Sequence, residues 1–222
     1  MNSDINYNIT RRKVKLIRIS VNRDKEVNVI IPMRYPVSEL SKILEKRLGW
    51  IKKKLEHFEH LKNSFFRLEE NEILYLNEKY VFELKPELKN SVKIISGEKK
   101  IFSGVNLLDK KIQTSWLKLE ARRIIEERIK LINSDGLYKY RKIFIRDQKT
   151  KWGNCSGSKN ISFNWRLIKA PLEVIDYLIA HEFTHLMEMN HSKMFWYKLS
   201  LICPDYYRPN RWLKKNGIGL FY

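Results

Sequence analysis

The stretch Ala180-His181-Glu182-Phe183-Thr184-His185 admits few folds. The apolar residues Leu172, Ile175, Ile179, Phe183 and Leu186 recur around it at helical spacing and make one stripe. That spacing predicts a helix, opened by Pro171, whose stripe packs on a core. His181 and His185 stand four residues apart on another side of the helix, about a turn from one another, so each can aim an imidazole nitrogen at a single ion. Glu182 lies one residue round the helix, where its carboxylate reaches a water held on that ion more easily than the ion itself. It is the candidate general base.

An ordinary amphipathic helix would carry its histidines in the core stripe or leave them unaccompanied, and this segment does neither. His191 follows His185, beyond Asn190, a residue that tolerates left-handed geometry and lets the chain turn back after a helix. A third imidazole is therefore available. Three neutral protein ligands with a water in the fourth position compose a catalytic zinc site, whereas a structural site wants four protein ligands and usually cysteine. The expected cofactor is zinc, held by His181, His185 and His191.

The chain has 222 residues, enough for two modest domains with real cores. Its two cysteines, Cys155 and Cys203, form no pairing pattern, which points to a reducing compartment. Met1 to Thr10 is polar, and no apolar run approaches membrane-spanning length. A soluble, cytoplasmic protein without membrane contact is expected. The formal charge of +19 makes a field that attracts polyanions, so contact with nucleic acid or nucleotides through a basic surface is a candidate property. That charge is spread over both halves of the chain, however, and the lysines at 52–54 read as the solvated side of a helix.

Residues 14–21 and 27–31 alternate, with Ile17, Ile19 and Val21 answered by Val27, Val29 and Ile31 across Asn22–Glu26, and so predict a β-hairpin. Pro36 and Ser38 announce a helix whose stripe, Leu40, Leu44, Leu48, Ile51, Leu55 and Phe58, runs to about Lys62 and should pack on the hairpin. Further strand pairs are expected at 73–84, around Asn77-Glu78, and at 91–103, around Gly97. At Thr114, a candidate N-cap, the composition shifts into a helix striped by Leu117, Ala121, Ile125, Ile129 and Ile132 and ended by Asn133 to Gly136. The expected division is therefore a β-rich N-terminal domain with one helix, 1–112, and a second domain, 113–222. In the second, strands at 142–147 and 161–168 precede the histidine helix, and Ser192 caps a further helix through Met194, Phe195, Leu199 and Ile202 that Pro204 stops. The class is α+β.

Lys151-Trp152-Gly153-Asn154-Cys155, then Ile161 to Pro171, then His181-Glu182-Phe183-Thr184-His185 and Asn190-His191-Ser192 with Phe195-Trp196, resemble the YgjP-like family of zinc metallopeptidases. The N-terminal hairpin and the helix carrying Gly49-Trp50-Ile51 are similar to that family's opening. Asn154 stands where the family more often has serine and Lys151 where it often has arginine; neither change touches the proposed ligands. The resemblance implies a zincin-like second domain built around the H-E-x-x-H helix, zinc on His181, His185 and His191, and Glu182 as base. The SprT-like proteases are a more distant comparison. The gap to His191 equals that of the metzincins, but Glu188 occupies the place of their turn glycine.

Two enzymatic classes fit these residues: a zinc peptidase acting on protein or peptide, and a metal-dependent phosphohydrolase acting on nucleotides or nucleic acid. A single metal with an adjacent Glu suits carbonyl attack, whereas many phosphodiesterases use two metals held by carboxylates, so peptidase ranks first. A nucleic-acid-binding module with a structural metal lacks the fourth protein ligand. The strand at 161–168 is expected to border the cleft as a sheet edge, its polar face of Ser162, Asn164 and Arg166 lining a peptide groove. Cys155 has no histidine at a readable spacing and reads as a packed residue, and Phe195 and Trp196 also read as packing. His57 and His60 read as part of a solvated mixed-charge face. Tyr197, Tyr206, Tyr207, Arg208 and Arg211 are near enough in sequence to stabilise an oxyanion, with nothing to select among them.

Overall fold

In the computed structural model, which describes residues 5–22, 24–64 and 68–221 and only the backbone of 60–64, the chain forms two compact units that divide between residues 67 and 68. His60 of the His57/His60 pair lies outside the described side chains.

In the first unit, β2 (Arg18–Val21) and β3 (Val27–Pro32) make the expected antiparallel hairpin, with Ile19 opposite Val29. A further strand, β1 (Tyr7–Arg12), lies parallel to β3 on its other side. Its mostly exposed residues give no alternating pattern to read. Backbone pairing holds it, together with the Arg11 guanidinium, which donates to the carbonyls of Met33 at 2.7 Å and Tyr35 at 3.0 Å. The helix α1 (Val37–Ser64) packs as its stripe predicts, burying Leu40, Leu44 and Ile51 against Val27, Val29 and Ile31. Each such side chain contributes roughly 1.5–3 kcal/mol by burial.

The second unit begins with a four-stranded sheet, β4 (Glu72–Tyr75), β5 (Glu78–Leu84), β6 (Val92–Ile95) and β7 (Lys100–Ser103), in the order β4-β5-β7-β6. The two expected strand pairs are present and are joined by a parallel β5–β7 pairing. The turn between β4 and β5 puts both Leu76 (φ 49°) and Asn77 (φ 65°) in the left-handed region, which asparagine accepts more readily than leucine. The helix α2 (Lys110–Ile132) starts earlier than Thr114: Asp109 is its cap, accepting from the amides of Lys111 at 2.9 Å and Ile112 at 3.0 Å. The apolar stripe begins only after a polar first turn, Lys110-Lys111, so the stripe alone dates the helix too late. Asn133 ends it as read.

The division expected between residues 112 and 113 falls inside this second unit. Ile73, Tyr75, Phe82 and Ile101 of the first sheet share one core with Leu117, Ile125, Ile161 and Ile179. Tyr75 stacks on Trp116 with ring centroids 5.8 Å apart and donates its hydroxyl to Glu120 at 2.7 Å. The turn amides of Leu76 and Asn77 donate to the carbonyls of Ile168 and Lys169 at 2.8 and 3.1 Å. The sheet thus completes its core with α2, a pairing distant in sequence.

Beyond α2 come β8 (Lys142–Arg146), β9 (Gly153–Cys155) and β10 (Asn160–Asn164), ordered β8-β10-β9, with β10 parallel to β8 and antiparallel to β9. A 3-10 helix, Trp165–Lys169, leads into α3 (Leu172–His185), followed by α4 (Lys193–Ile202), α5 (Tyr207–Asn216) and a last 3-10 helix, Gly217–Phe221. The fold is α+β, and no helix among the described residues is long and apolar enough to cross a membrane.

Candidate metal centre

The helix α3 starts after Pro171 and buries Ile175, Ile179 and Phe183 as its stripe predicts. It is more enclosed than an amphipathic helix: Val174, Tyr177, Leu178, Ala180, Glu182 and Thr184 are buried as well. The Arg128 guanidinium on α2 grips Asp176 through two bonds of 2.7 Å, and Tyr138 stacks on Phe183 at 4.9 Å. This packing fixes the rotation of α3 and hence the direction of the histidines. After His185 the chain leaves the helix and returns through Ser192, whose hydroxyl caps α4 by accepting from the Phe195 amide at 3.2 Å.

That return brings His191 to the other two. One ligand atom from each of His181, His185 and His191 lies within 4.8 Å of the others. The Nε2 atoms of His181 and His191 are 3.1 Å apart, close to the ~3.4 Å separating two nitrogens that each sit about 2.0–2.1 Å from one tetrahedral zinc. His185 Nδ1 is 3.1 Å from the Glu188 carbonyl; a carbonyl only accepts, so Nδ1 carries the proton and Nε2 keeps the lone pair a metal needs. The buried ring of Phe195 lies 4.6–4.9 Å from all three imidazoles. Trp196 is sandwiched between His191 at 5.8 Å and Tyr206 at 5.5 Å, so both aromatics are packing residues, as read from sequence.

The donor set fits a metal ion electrostatically too. Burial, with His185 and His191 alongside, pushes His181 down to about 3, and burial lowers His185 as well, so both are neutral and ready to coordinate at ordinary pH. His181 Nδ1 and Glu182 Oε2 are buried without a hydrogen-bond partner. An unmet buried polar atom of this kind costs roughly 1–3 kcal/mol. Burial pushes the Glu182 carboxyl up to about 8 against the opposing field of Lys151, which gives the carboxylate a strong affinity for a proton. Cys155 sits half-buried with its thiol pushed up to about 11, chiefly by burial, which makes it a poor nucleophile.

One expectation about the groove fails. Strand β10 is covered on both edges, by β8 and β9, and it ends at Asn164, where the 3-10 helix begins. Its polar residues have structural duties. Asn164 is fully buried, donates to the carbonyls of Gln148 at 2.7 Å and Lys151 at 3.1 Å, and caps the 3-10 helix. Ser162 lines a polar cavity of about 460 Å³ with Arg146, Gln148, Asn154 and Asn160. The strand beside Glu182 is β9, at the sheet's edge.

Residues missed in the sequence are on that strand and on α3. Gly153 faces Glu182 so closely that a Cβ there would lie 2.3 Å from Oε1. Tyr177, one turn before His181, meets its ring edge-on at 5.8 Å, and the i−4 spacing was the available signal. Of the oxyanion candidates, Tyr206 is engaged with Trp196, Tyr207 lies under the Arg208 guanidinium at 5.9 Å, and Tyr197 is largely exposed.

The three histidines, two of them from the H-E-x-x-H helix, form a cluster that could hold a metal ion. The profile of the YgjP-like metallopeptidase domain matches residues 15–216, and the chain belongs to that family. A search of curated proteins found none that matches. Family membership supports a metal-dependent hydrolase of the peptidase kind, acting on protein or peptide with a metal ion at the histidine cluster.

Proposed function

We propose that the protein is a zinc peptidase in which His181, His185 and His191 hold the ion and Glu182 is the general base. The observation that carries this reading is the convergence of the three imidazoles, with the buried Glu182 carboxylate next to His181 on the same helix. When bound, zinc supplies a Lewis acid that polarises the scissile carbonyl and lowers the pKa of a coordinated water to about 7. Glu182 then accepts the proton released on attack and passes it to the leaving amine. The Glu188 carbonyl holds His185 in the tautomer that presents Nε2. Zinc is favoured over harder cations by the all-imidazole donor set. The unpaired cysteines suit a reducing, cytoplasmic setting.

Strand β9 offers the substrate a place. Trp152, Asn154 and Ser156 bond toward β10, so the alternate residues Gly153 and Cys155 turn their peptide groups to the sheet's open edge. An extended peptide pairing there by main-chain bonds would lie beside Glu182.

The Glu182→Gln substitution tests the mechanism. Glutamine keeps the shape but accepts no proton at neutral pH, so turnover should fall by roughly a hundredfold or more. Zinc content should stay at one per chain. Unfolded protein, DNA-bound protein and nucleoside triphosphates are the substrates to screen. The charge of +19 favours the phosphohydrolase alternative, and turnover of triphosphates alone would establish it over the peptidase. Full turnover by Glu182→Gln on the substrate so found would remove the general base assigned here.

A further inference from the structure

Gly153 is a glycine for which its own backbone gives no reason. Among the described residues Gly136 is the only glycine with positive φ, and Gly153 lies in a regular strand whose neighbours Trp152 and Asn154 carry full side chains. What occupies the space of its missing side chain is Glu182. A Cβ at 153 would lie 2.3 Å from Glu182 Oε1, 2.9 Å from Cδ and 3.0 Å from Cγ, inside the distance that real Cβ atoms tolerate. Glu182 is itself only 3% exposed and rooted in the enclosed helix α3, so the carboxylate has little room to swing away.

We propose that Gly153 is a positioning residue for Glu182: the bare Cα at 153 forms the seat in which the carboxylate rests beside the histidines. This rests on the reading of Glu182 as general base. It adds that strand β9, whose open edge is the proposed peptide-docking edge, also sets the location of the base, through the same residue. One short strand would therefore both present an edge to a peptide and seat the carboxylate.

The Gly153→Ala variant makes the test, since alanine adds only the one atom at issue and suits an extended strand. Displacing the carboxylate by about an ångström should lower kcat by about a hundredfold, with KM within a few-fold and the zinc dissociation constant unchanged. Shortening the base in the same chain, Gly153→Ala with Glu182→Asp, should recover part of that loss because the carboxylate then clears the new methyl group. A thermal-melting cycle gives a readout independent of catalysis. Gly153→Ala should lower Tm in the wild-type background and have little effect once Glu182→Ala has emptied the space. If Gly153→Ala does not fold alone, recovery of a folded, zinc-binding chain on adding Glu182→Ala gives the same answer. An equal loss of Tm in both backgrounds, or an unchanged kcat, would overturn the proposal. The melting cycle stands even if Glu182→Gln proves active, so failure of the peptidase reading and failure of the seat are told apart.

Discussion

The two units bury the same kinds of apolar side chain and differ in what else they bury. In the first, the core is Val27, Val29, Ile31, Leu40, Leu44 and Ile51, and among the described residues no polar side chain is buried with them. In the second, Ser103, Ser162, Asn164, Glu182 and Thr184 lie below the surface. Four of these have a stated duty: Ser103 accepts from the Val105 amide at 3.1 Å, Thr184 donates to the Ala180 carbonyl at 2.8 Å, Asn164 ties down a loop, and Ser162 reaches the Asn154 carbonyl at 3.5 Å. The fifth, Glu182, keeps a buried oxygen without a partner, and Gln148 Oε1, Trp165 Nε1 and His181 Nδ1 also lack one among the described residues. Native interiors satisfy nearly all such atoms, and two of these four belong to neighbouring residues of α3, His181 and Glu182. Among the described residues the first unit buries only apolar side chains, and the second also buries polar atoms that lack partners.

The strongest way to break this comparison is to remove the metal. If zinc is present at about a thousand times its dissociation constant, losing the site through His181→Ala should cost the second unit about 4 kcal/mol of stability and all bound zinc. Hydrogen exchange should show protection falling around residues 172–202 and unchanged at 27–55. His191→Ala should weaken zinc binding as well; unchanged zinc content in that variant would send the search for the third ligand further along the chain. The converse perturbation is Ile51→Ala. It empties a fully buried position on α1 and should cost roughly 2–5 kcal/mol. Its protection losses should be confined to 27–55, with zinc affinity unmoved. A fall in zinc affinity would show that the first unit also supports the site.

The site was far more legible than the architecture that builds it. The H-E-x-x-H spacing and the cap at Ser192 are local, and local geometry delivers all three imidazoles, although the helix ends at His185 and turns at Leu186 and Met187 rather than through a left-handed Asn190. The hairpin, α1 and the β4–β5 and β6–β7 pairs were readable for the same reason. What sequence did not give was long-range. No local pattern says that the sheet of residues 72–103 completes its core with α2, or that the polar strand Tyr7–Arg12 pairs with β3. The stretch 161–168 alternated like one half-exposed strand, yet Ser162 and Asn164 face polar duties indoors and the last residues coil into a 3-10 helix. Gly153 was visible as part of a motif. Its reason, the Glu182 carboxylate 29 positions along the chain, was not.

The smallest expected effect concerns Asp147 and Arg166, an ion pair of the second unit outside the candidate site. Arg166 lies over Trp165 at 4.5 Å and over Phe221 at 4.8 Å, and its Nη1 donates to Asp147 Oδ1 at 2.5 Å. That bond holds the Asp147 carboxyl below its ordinary value of 3.8, against the opposing effect of burial. A group depressed on folding adds stability above its unfolded pKa and surrenders it as pH falls through the lower, folded value. The contribution should therefore be complete at neutral pH and fade below about pH 4. Asp147 is half exposed, with 52% side-chain accessibility, so solvent screening limits the pair to under about 1 kcal/mol. Asp147→Asn should accordingly lower Tm slightly at pH 7 and converge with the wild type near pH 3. If the gap instead persisted unchanged into acid, the residue would be acting through packing or a neutral hydrogen bond. Only the second unit carries this pair, so amide protection at 27–55 should match the wild type at every pH; a change there would mean that acid sensitivity passes between the units.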